Sequence, residues 1–283
     1  MGSRARIYVV TGADSGLGKA VAERLAARGE VITCGMGGSV DVQADLTAPS
    51  GRAHLLDEVR ARGDGRLDGL VAAAGMGSAR AETIALNYFG TIAVLEGLRE
   101  SLAASEAPSA VVVSSSSTLN RGSRALLRAC IRGDEAKALA TAHRLVRTGR
   151  GSQIYRSSKI ALNHWVRAAS VAPEWAGRGV VLNAVAPGII ATDIVMRTWE
   201  RDRALLEIAL PQPLGIPGPV GPVADLLVHL ASPENRFMTG QIIYCDGGTD
   251  ALTRGSRPQG RYLRYRPREI VSMLRESRRQ QTS

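Results

Sequence analysis

The opening residues constrain the fold more than any other stretch of the chain. Arg6 to Thr11 is a β-branched run, Gly12-Ala13-Asp14-Ser15-Gly16-Leu17-Gly18 comes next, and a helical pattern runs from Lys19 to Arg28. A strand, a glycine-rich turn and a helix, in that order, form the arrangement that receives a dinucleotide pyrophosphate. Glycine permits the tight turn and lets a phosphate approach the backbone. The free N–H groups at the helix start then meet the negative charge. A plain glycine loop has the same spacing, so the meaning of this one depends on the remainder of the chain.

Composition narrows the field. A chain of 283 residues suits one domain, or one domain with an appendage. Aromatics are only 4% of it, so the core must be built from aliphatic and small side chains. Cys34, Cys130 and Cys245 lie far apart and match no metal spacing, which suits a reducing compartment and predicts a cytoplasmic protein with no metal. Neither a signal peptide nor an apolar run of membrane-spanning length is evident, so no membrane partner is expected. From Thr249 onward nine arginines stand against three acids, which places +6 of the net charge of +10 in the tail. Such a tail can meet nucleic acid, an acidic membrane or an acidic partner. No zinc spacing, RNA-binding aromatic motif or recognition helix accompanies it, so a solvated appendage is the simpler reading and nucleic acid is not the expected partner.

Val31 to Cys34 reads as the second strand. An acid at the end of this strand commonly holds the adenosine ribose. Here the chain reads Gly35-Met36-Gly37-Gly38-Ser39, and Asp41 falls beyond the usual place. Losing the acid removes a repulsion against a 2′-phosphate and leans toward NADP, with NAD still open. Only Lys19 and Arg4 are available as remote cations. Val40 to Leu46 reads as a third strand ending at Asp45, which can accept from the adenine amino group or simply cap a turn. Thr47-Ala48-Pro49 opens a helix that Ala53 to Arg62 completes. Leu67 to Ala72 is a fourth strand, followed by Ala73-Ala74-Gly75, small enough for a cofactor to lie against backbone. Ile84 to Leu98 is helical and carries Asn87, and Ala110 to Val113 is an apolar strand closed by Ser114 to Ser117. Continuous apolar strands alternating with helices predict an α/β fold: a Rossmann-like, doubly wound parallel sheet flanked by helices.

With these residues in view, the chain resembles the short-chain dehydrogenase/reductase superfamily from Arg6 to Gly248. Thr11-Gly12-x-x-x-Gly16-x-Gly18 corresponds to its cofactor loop, and Ala73-Ala74-Gly75 to its Asn-Ala-Gly motif with alanine in place of asparagine. Asn87, a serine after the fifth strand, Tyr155 and Lys159 supply its Asn-Ser-Tyr-Lys set. Asn183, Pro187-Gly188 and Thr192 match the motif after the sixth strand, and Asp246-Gly247-Gly248 the usual ending. Within the family the chain looks similar to bacterial 3α-hydroxysteroid dehydrogenase/carbonyl reductases. These share the Ala-Asp-Leu segment, the Asn-Tyr-Phe-Gly stretch and a long insertion before the tyrosine. That group carries an aspartate where this chain has Met36, so its NAD preference does not transfer directly.

Tyr155 and Lys159 fall on one face of a helix. A phenol with a pKa near ~10 is a poor acid at neutral pH, and a lysine one turn away would favour its ionised form. The same lysine can hold the nicotinamide ribose. A serine would fix the substrate oxygen, and the family places it second after the strand, which selects Ser115. Strand alternation would turn Ser114 and Ser116 to the other face. The resemblance gives Asn87 a water-mediated proton path through Lys159. It also implies a cofactor site of Gly12, Asp14, Ser15, Gly16, Leu17, Gly18, Met36, Asp45, Leu46, Ala74, Gly75, Tyr155, Lys159, Pro187, Gly188, Ile190 and Thr192.

The main departure is the link from Ser115 to Tyr155, which spans forty residues where the family leaves far fewer. It reads as a helical hairpin, Arg124 to Ile131 and Asp134 to Thr148, with Leu139, His143 and Val146 on one face of the second helix. Such an insertion can wall the substrate pocket or alter a subunit interface. The catalytic helix runs from Tyr155 to Ala169. A strand, Val180 to Val185, lies beyond it. From Asp193 to Pro222 a short helix bearing Met196 and Trp199 precedes a proline-rich loop. Val223 to Ala231 is the last helix of the fold and Gln241 to Cys245 the last strand. The expected organisation is a catalytic domain over 1–250, including the insertion 118–150 and a lid 192–222, then a basic extension over 251–283 whose Arg268 to Arg279 reads as a helix. The function implied is an NAD(P)H-dependent ketoreductase or alcohol dehydrogenase for an apolar cyclic ketone or alcohol, steroid-like or an aromatic polyketide intermediate, working as a homodimer or homotetramer. A general reductase of small carbonyl compounds is one alternative. A nucleotide-binding regulatory protein that uses its basic tail is another, disfavoured by the intact Tyr155 and Lys159.

Overall fold

Seven strands make one parallel sheet: β1 (Arg6–Thr11), β2 (Gly29–Gly35), β3 (Val42–Gln43), β4 (Gly69–Ala72), β5 (Ser109–Val113), β6 (Val181–Pro187) and β7 (Ile242–Cys245). Their order across the sheet is β3-β2-β1-β4-β5-β6-β7. The chain therefore winds outward from β1 in one direction and from β4 in the other, leaving a crevice beyond the carboxyl ends of the central strands. The structure is a computed structural model that describes residues 4–256.

Both faces of the sheet are covered, as the uninterrupted apolar strands require. In β1 alternate residues serve opposite layers. Ile7 and Val9 join one core with Ile32, Leu70 and Val112, and Tyr8 and Val10 join the other with Val71, Val111 and Val185. Helix α1 (Gly16–Leu25) and helix α10 (Val220–Leu230) cover the second layer, through Val21, Leu25, Val223 and Leu227. Leu25 is fully buried there, so its loss to alanine would cost about 2–5 kcal/mol. Helix α2 (Pro49–Arg62) and helix α8 (Ser152–Ala169) lie over the first layer. Between them run α3 (Glu82–Ile84), a π-helical turn (Ala85–Gly90), α4 (Thr91–Gly97) and α5 (Arg99–Ala103).

The insertion is a hairpin of α6 (Arg124–Ile131) and α7 (Glu135–Arg147), packed with α8. Asp134 caps α7 by accepting from the Lys137 N–H at 2.9 Å. The expected apolar face of α7 is corrected by the structure. Ala138, Thr141, Ala142 and Leu145 are buried, while His143 and Val146 face outward. Three small or half-polar residues let the helix approach closely, which a search for large apolar side chains overlooks. Arg52 joins the hairpin to α2. It is buried, pairs with both Glu135 carboxylate oxygens at 2.6 and 2.8 Å, and donates to the carbonyls of Leu46, Thr47 and Ala85.

Other boundaries shift for local reasons. The first helix starts at Gly16 and has ended by Leu25, because Gly29 already pairs with Arg6. The third strand keeps only Val42 and Gln43, so Asp45 stands past its end. The helix bearing Trp199 is long: α9 spans Asp193–Ala209. Asp246 fastens the turn into α11 (Thr249–Arg254) by accepting from the N–H groups of Gly248 and Asp250 at 3.0 and 2.8 Å. The tail helix expected over Arg268 to Arg279 lies outside the described residues.

Candidate active site

The loop after β1 is shaped by backbone collisions that only glycine avoids. Gly12 has φ +68°, and a Cβ there would lie 2.8 Å from the Ala74 Cα. A Cβ on Gly18 would lie 2.1 Å from the Gly12 carbonyl oxygen, so the first turn of α1 rests directly on the loop. Thr11 Oγ1 accepts from the Ala74 N–H at 3.1 Å and ties β1 to the segment after β4. Ser15, the N-cap residue of α1, makes no side-chain cap, so the helix start keeps N–H groups available to an anion.

These residues open onto a cleft of about 710 Å³. Gly12, Asp14, Ser15, Gly16, Leu17, Gly18, Met36, Asp45, Leu46, Ala74, Gly75 and Thr192 all line it. Apolar walls from Ala44, Leu46 and Leu55, an uncapped helix start and a glycine cradle fit a dinucleotide. Asp45 lines the cleft and also serves its own turn, accepting from Thr47 N–H at 2.9 Å and Thr47 Oγ1 at 2.7 Å.

Tyr155 and Lys159 sit one turn apart on α8 and, like Ser115, lie outside the cleft lining. Tyr155 is half-buried, and burial of the phenol raises its pKa, partly offset by a hydrogen bond with the Ser115 hydroxyl. Lys159 is buried, which lowers its pKa from 10.5 to about 8. Its Nζ donates to the Val113 carbonyl at 2.7 Å, and a Cβ on Gly75 would lie 3.6 Å from that nitrogen. The lysine is thus fixed at the end of β5, where Val113 and Gly75 line the cleft.

The serine run divides by local geometry. Ser114 Oγ donates to Asn163 Oδ1 at 2.6 Å, which commits it to α8. Ser115 accepts from the Ser117 N–H at 3.1 Å and caps a 3₁₀ turn over Ser116–Leu119. That turn ends strand alternation, so Ser116 is buried by the turn and not by the pleat. Asn87 lies in the π-helical turn, fully buried. Its Oδ1 accepts from the Met76 N–H at 2.9 Å, and its Nδ2 donates to the Met76 carbonyl at 2.9 Å and to Ser158 Oγ at 3.2 Å. Its side chain is therefore spent on holding Met76 against α8, and no direct bond to Lys159 is found among the described residues.

Pro187, Gly188 and Ile190 lie outside the cleft lining. Pro187 ends β6, Gly188 donates to the Cys245 carbonyl at 3.1 Å, and Ile190 bridges to Gly218. Sequence reasoning misses what organises this segment. Gln212 is buried: its Oε1 accepts from the Ile189 N–H, and its Nε2 donates to the carbonyls of Ile189 and Gly215 at 3.2 and 3.0 Å. One amide therefore fixes residues 188–190. An amide between Pro211 and Pro213, where a loop would otherwise be polar and exposed, is the available signal. The insertion contributes no residue from 118–150 to the cleft lining. Cys34 and Cys130 are buried thiols pushed up to about 12, as expected of inert core residues. Among the described residues no group of His, Cys, Asp and Glu could hold a metal, and no helix is long and apolar enough to cross a membrane.

A glycine cradle, an uncapped helix start and a cleft that fits a dinucleotide are the parts that a nicotinamide-dependent oxidoreductase needs. A family model described as enoyl-(acyl carrier protein) reductase matches residues 12–250. The 3-alpha-hydroxysteroid dehydrogenase/carbonyl reductase of Comamonas testosteroni is 32% identical over 254 residues, covering 88% of this chain and 98% of that protein. The 3-oxoacyl-[acyl-carrier-protein] reductase FabG of Escherichia coli strain K12 is 28% identical over 256 residues, covering 88% and 98%. Among solved structures, the 3-alpha-hydroxysteroid dehydrogenase of Pseudomonas sp. B-0831 complexed with NADH superposes with a TM-score of 0.81 at 36% identity, covering 89% of this chain and 99% of that one. The chain belongs to the short-chain dehydrogenase/reductase family and is an NAD(P)-dependent oxidoreductase.

Proposed function

We propose that the enzyme interconverts a carbonyl and an alcohol on an apolar cyclic substrate. Ser115 holds the substrate oxygen, Tyr155 exchanges its proton, and Lys159 supplies the positive charge. The observation that carries this reading is the nearness of the Ser115 side chain to the Tyr155 phenol, close enough to act on its ionisation. Two hydroxyls converging on one point can hold a carbonyl oxygen and protonate it. Bound nicotinamide supplies or accepts the hydride at the substrate carbon.

Each group has a matching local reason. Burial keeps the Tyr155 phenol protonated at neutral pH, so it can donate during reduction. The Lys159 ammonium favours the phenolate left behind, and from its place beside Val113 and Gly75 it would also hold the nicotinamide ribose. Asn87 is a positioning residue that keeps Met76 and the neighbouring Gly75 in place. Gly12, Gly16, Leu17 and Gly18 would receive the pyrophosphate. Leu46 and Asp45 would flank the adenine, and Thr192 the carboxamide. The Pseudomonas relative with bound NADH supports a nicotinamide cofactor here.

The substrate class rests on α9. Ile194 lines the cleft, and Ile194 and Met196 remain exposed at 59% and 47%. Apolar side chains left open on α9 would recover their solvation cost if an apolar ring covered them, at ~25 cal/mol per Å². The hydroxysteroid and carbonyl activities in the names of the Comamonas and Pseudomonas relatives agree with that preference. The test compares kcat/KM for apolar cyclic ketones with that for short acyclic ketones. A cyclic advantage of about tenfold or more, mainly in KM, is expected. Equal values would remove the cyclic preference, and no turnover of any carbonyl would remove the whole reading.

A further inference from the structure

We infer that Asp14 makes this enzyme select NAD(H) over NADP(H), against the lean of the sequence. The inference rests on the reading that the cleft beyond β1 and β2 holds the adenosine end of the cofactor.

In dinucleotide folds an acid at the end of the second strand accepts from the ribose 2′-hydroxyl. The residues there, Gly35 to Ser39, contain no acid. The structure brings a carboxylate to the same place from the neighbouring loop. Asp14 Oδ2 accepts from the N–H groups of Met36 and Gly37 at 3.2 and 2.9 Å. Space for it exists because the last residue of β2 and the second residue beyond it lack side chains. A Cβ on Gly35 would lie 2.8 Å from the Asp14 Cγ, and one on Gly37 would lie 3.2 Å from the Asp14 Cβ. The glycines that replace the expected acid therefore make room for another.

Asp14 is half-buried and lines the cleft. Oδ2 is held by backbone, and Oδ1 has no hydrogen-bond partner among the described residues. A ribose diol can donate to that oxygen, forming a charge-assisted hydrogen bond. A 2′-phosphate removes the 2′-hydroxyl donor and brings a charge of roughly −1.5 to −2 beside a carboxylate. Among the described residues the cleft lining offers little compensation by a cation. Arg80 is the one lysine or arginine among the described residues that line the cleft, and its Nε lies 3.6 Å from Glu82 Oε2. Lys19, the remote candidate from the sequence, does not line it. Asp45 adds a second carboxylate to the lining.

The test measures Kd for NADH and for NADPH by fluorescence, with wild type, Asp14→Asn, Asp14→Ser and Gly35→Ala. Asn keeps the shape and one acceptor oxygen, Ser removes the carboxylate, and Ala at 35 displaces it without removing its charge. Wild type should favour NADH by about tenfold or more, the scale of one charge-assisted hydrogen bond exchanged for a repulsion. Asp14→Asn and Asp14→Ser should each shrink that ratio by roughly tenfold, with NADPH binding improved. Gly35→Ala should shrink it less. Tighter NADPH binding by wild type, or an unchanged ratio in both Asp14 variants, would overturn the role of Asp14 and leave the oxidoreductase reading intact. Binding of neither nucleotide by wild type would overturn both.

Discussion

The two ends of the cleft are built from different material. At the nucleotide end the shape is made by backbone: Gly12, Gly16 and Gly18 fold the loop against Ala74 and the start of α1, and the contacts at Gly12 and Gly18 leave no room for a methyl group. At the proposed substrate end it would be made by side chains: Ser115 from just beyond β5, Tyr155 and Lys159 from α8, and Ile194 of α9, which lines the cleft. A backbone-made site tolerates almost no substitution. A side-chain-made site can change its ligand while the fold stands.

Substitution at Gly18 should separate the two ends most sharply. Its Cβ would meet the Gly12 carbonyl oxygen at 2.1 Å, and neither backbone can yield cheaply. Gly18→Ala should cost about 1–3 kcal/mol of stability or more and abolish nucleotide binding, read by urea unfolding and fluorescence titration. Wild-type binding in this variant would show that the loop is not the rigid half.

The buried ammonium offers an intermediate effect with a definite sign. The folded state holds the Lys159 proton less tightly, with a pKa of about 8 against 10.5. The charge therefore costs stability below pH ~8, and the cost fades as pH rises from ~8 toward ~10.5. Lys159→Met should raise the stability of the nucleotide-free protein at pH ~7 by roughly 1–3 kcal/mol, after allowance for the lost bond to the Val113 carbonyl. The gain should shrink by pH ~10, and activity should be lost throughout. Lower stability of the variant at neutral pH would mean that the ammonium is not desolvated.

The smallest effect is expected at α9. Replacing Ile194 and Met196 together by serine should leave the unfolding midpoint of the nucleotide-free protein nearly unchanged, since both are largely exposed. KM for an apolar cyclic ketone should rise about tenfold with little change in kcat. A change in stability larger than that in KM would make these residues part of the core.

The same contrast explains what the sequence makes legible. The glycine loop, the strand alternation and the Tyr155–Lys159 spacing are local patterns, and local geometry carries them into the fold. The parallel sheet and the hairpin α6–α7 are readable for the same reason. Contacts between distant segments are not. Gln212 clamps Ile189 from across a proline-rich stretch, Arg52 reaches Glu135, and Asp14 reaches the backbone beyond β2. None of these pairings has a periodicity or a spacing to betray it. The π-helical turn at Asn87 reads as ordinary helix because one inserted residue barely alters an apolar pattern. On α7 the buried face is carried by alanines, a threonine and one leucine, which a pattern of large side chains does not mark.

The central claim is that Tyr155 moves the proton at a site that Ser115 and Lys159 prepare. Steady-state reduction of an apolar cyclic ketone by wild type and Tyr155→Phe, with nucleotide Kd measured on the same samples, tests it most directly. Loss of the phenolic hydroxyl should lower kcat by about 10²–10⁴-fold while nucleotide binding changes little. A Tyr155→Phe enzyme that binds nucleotide and keeps the wild-type kcat would contradict the account.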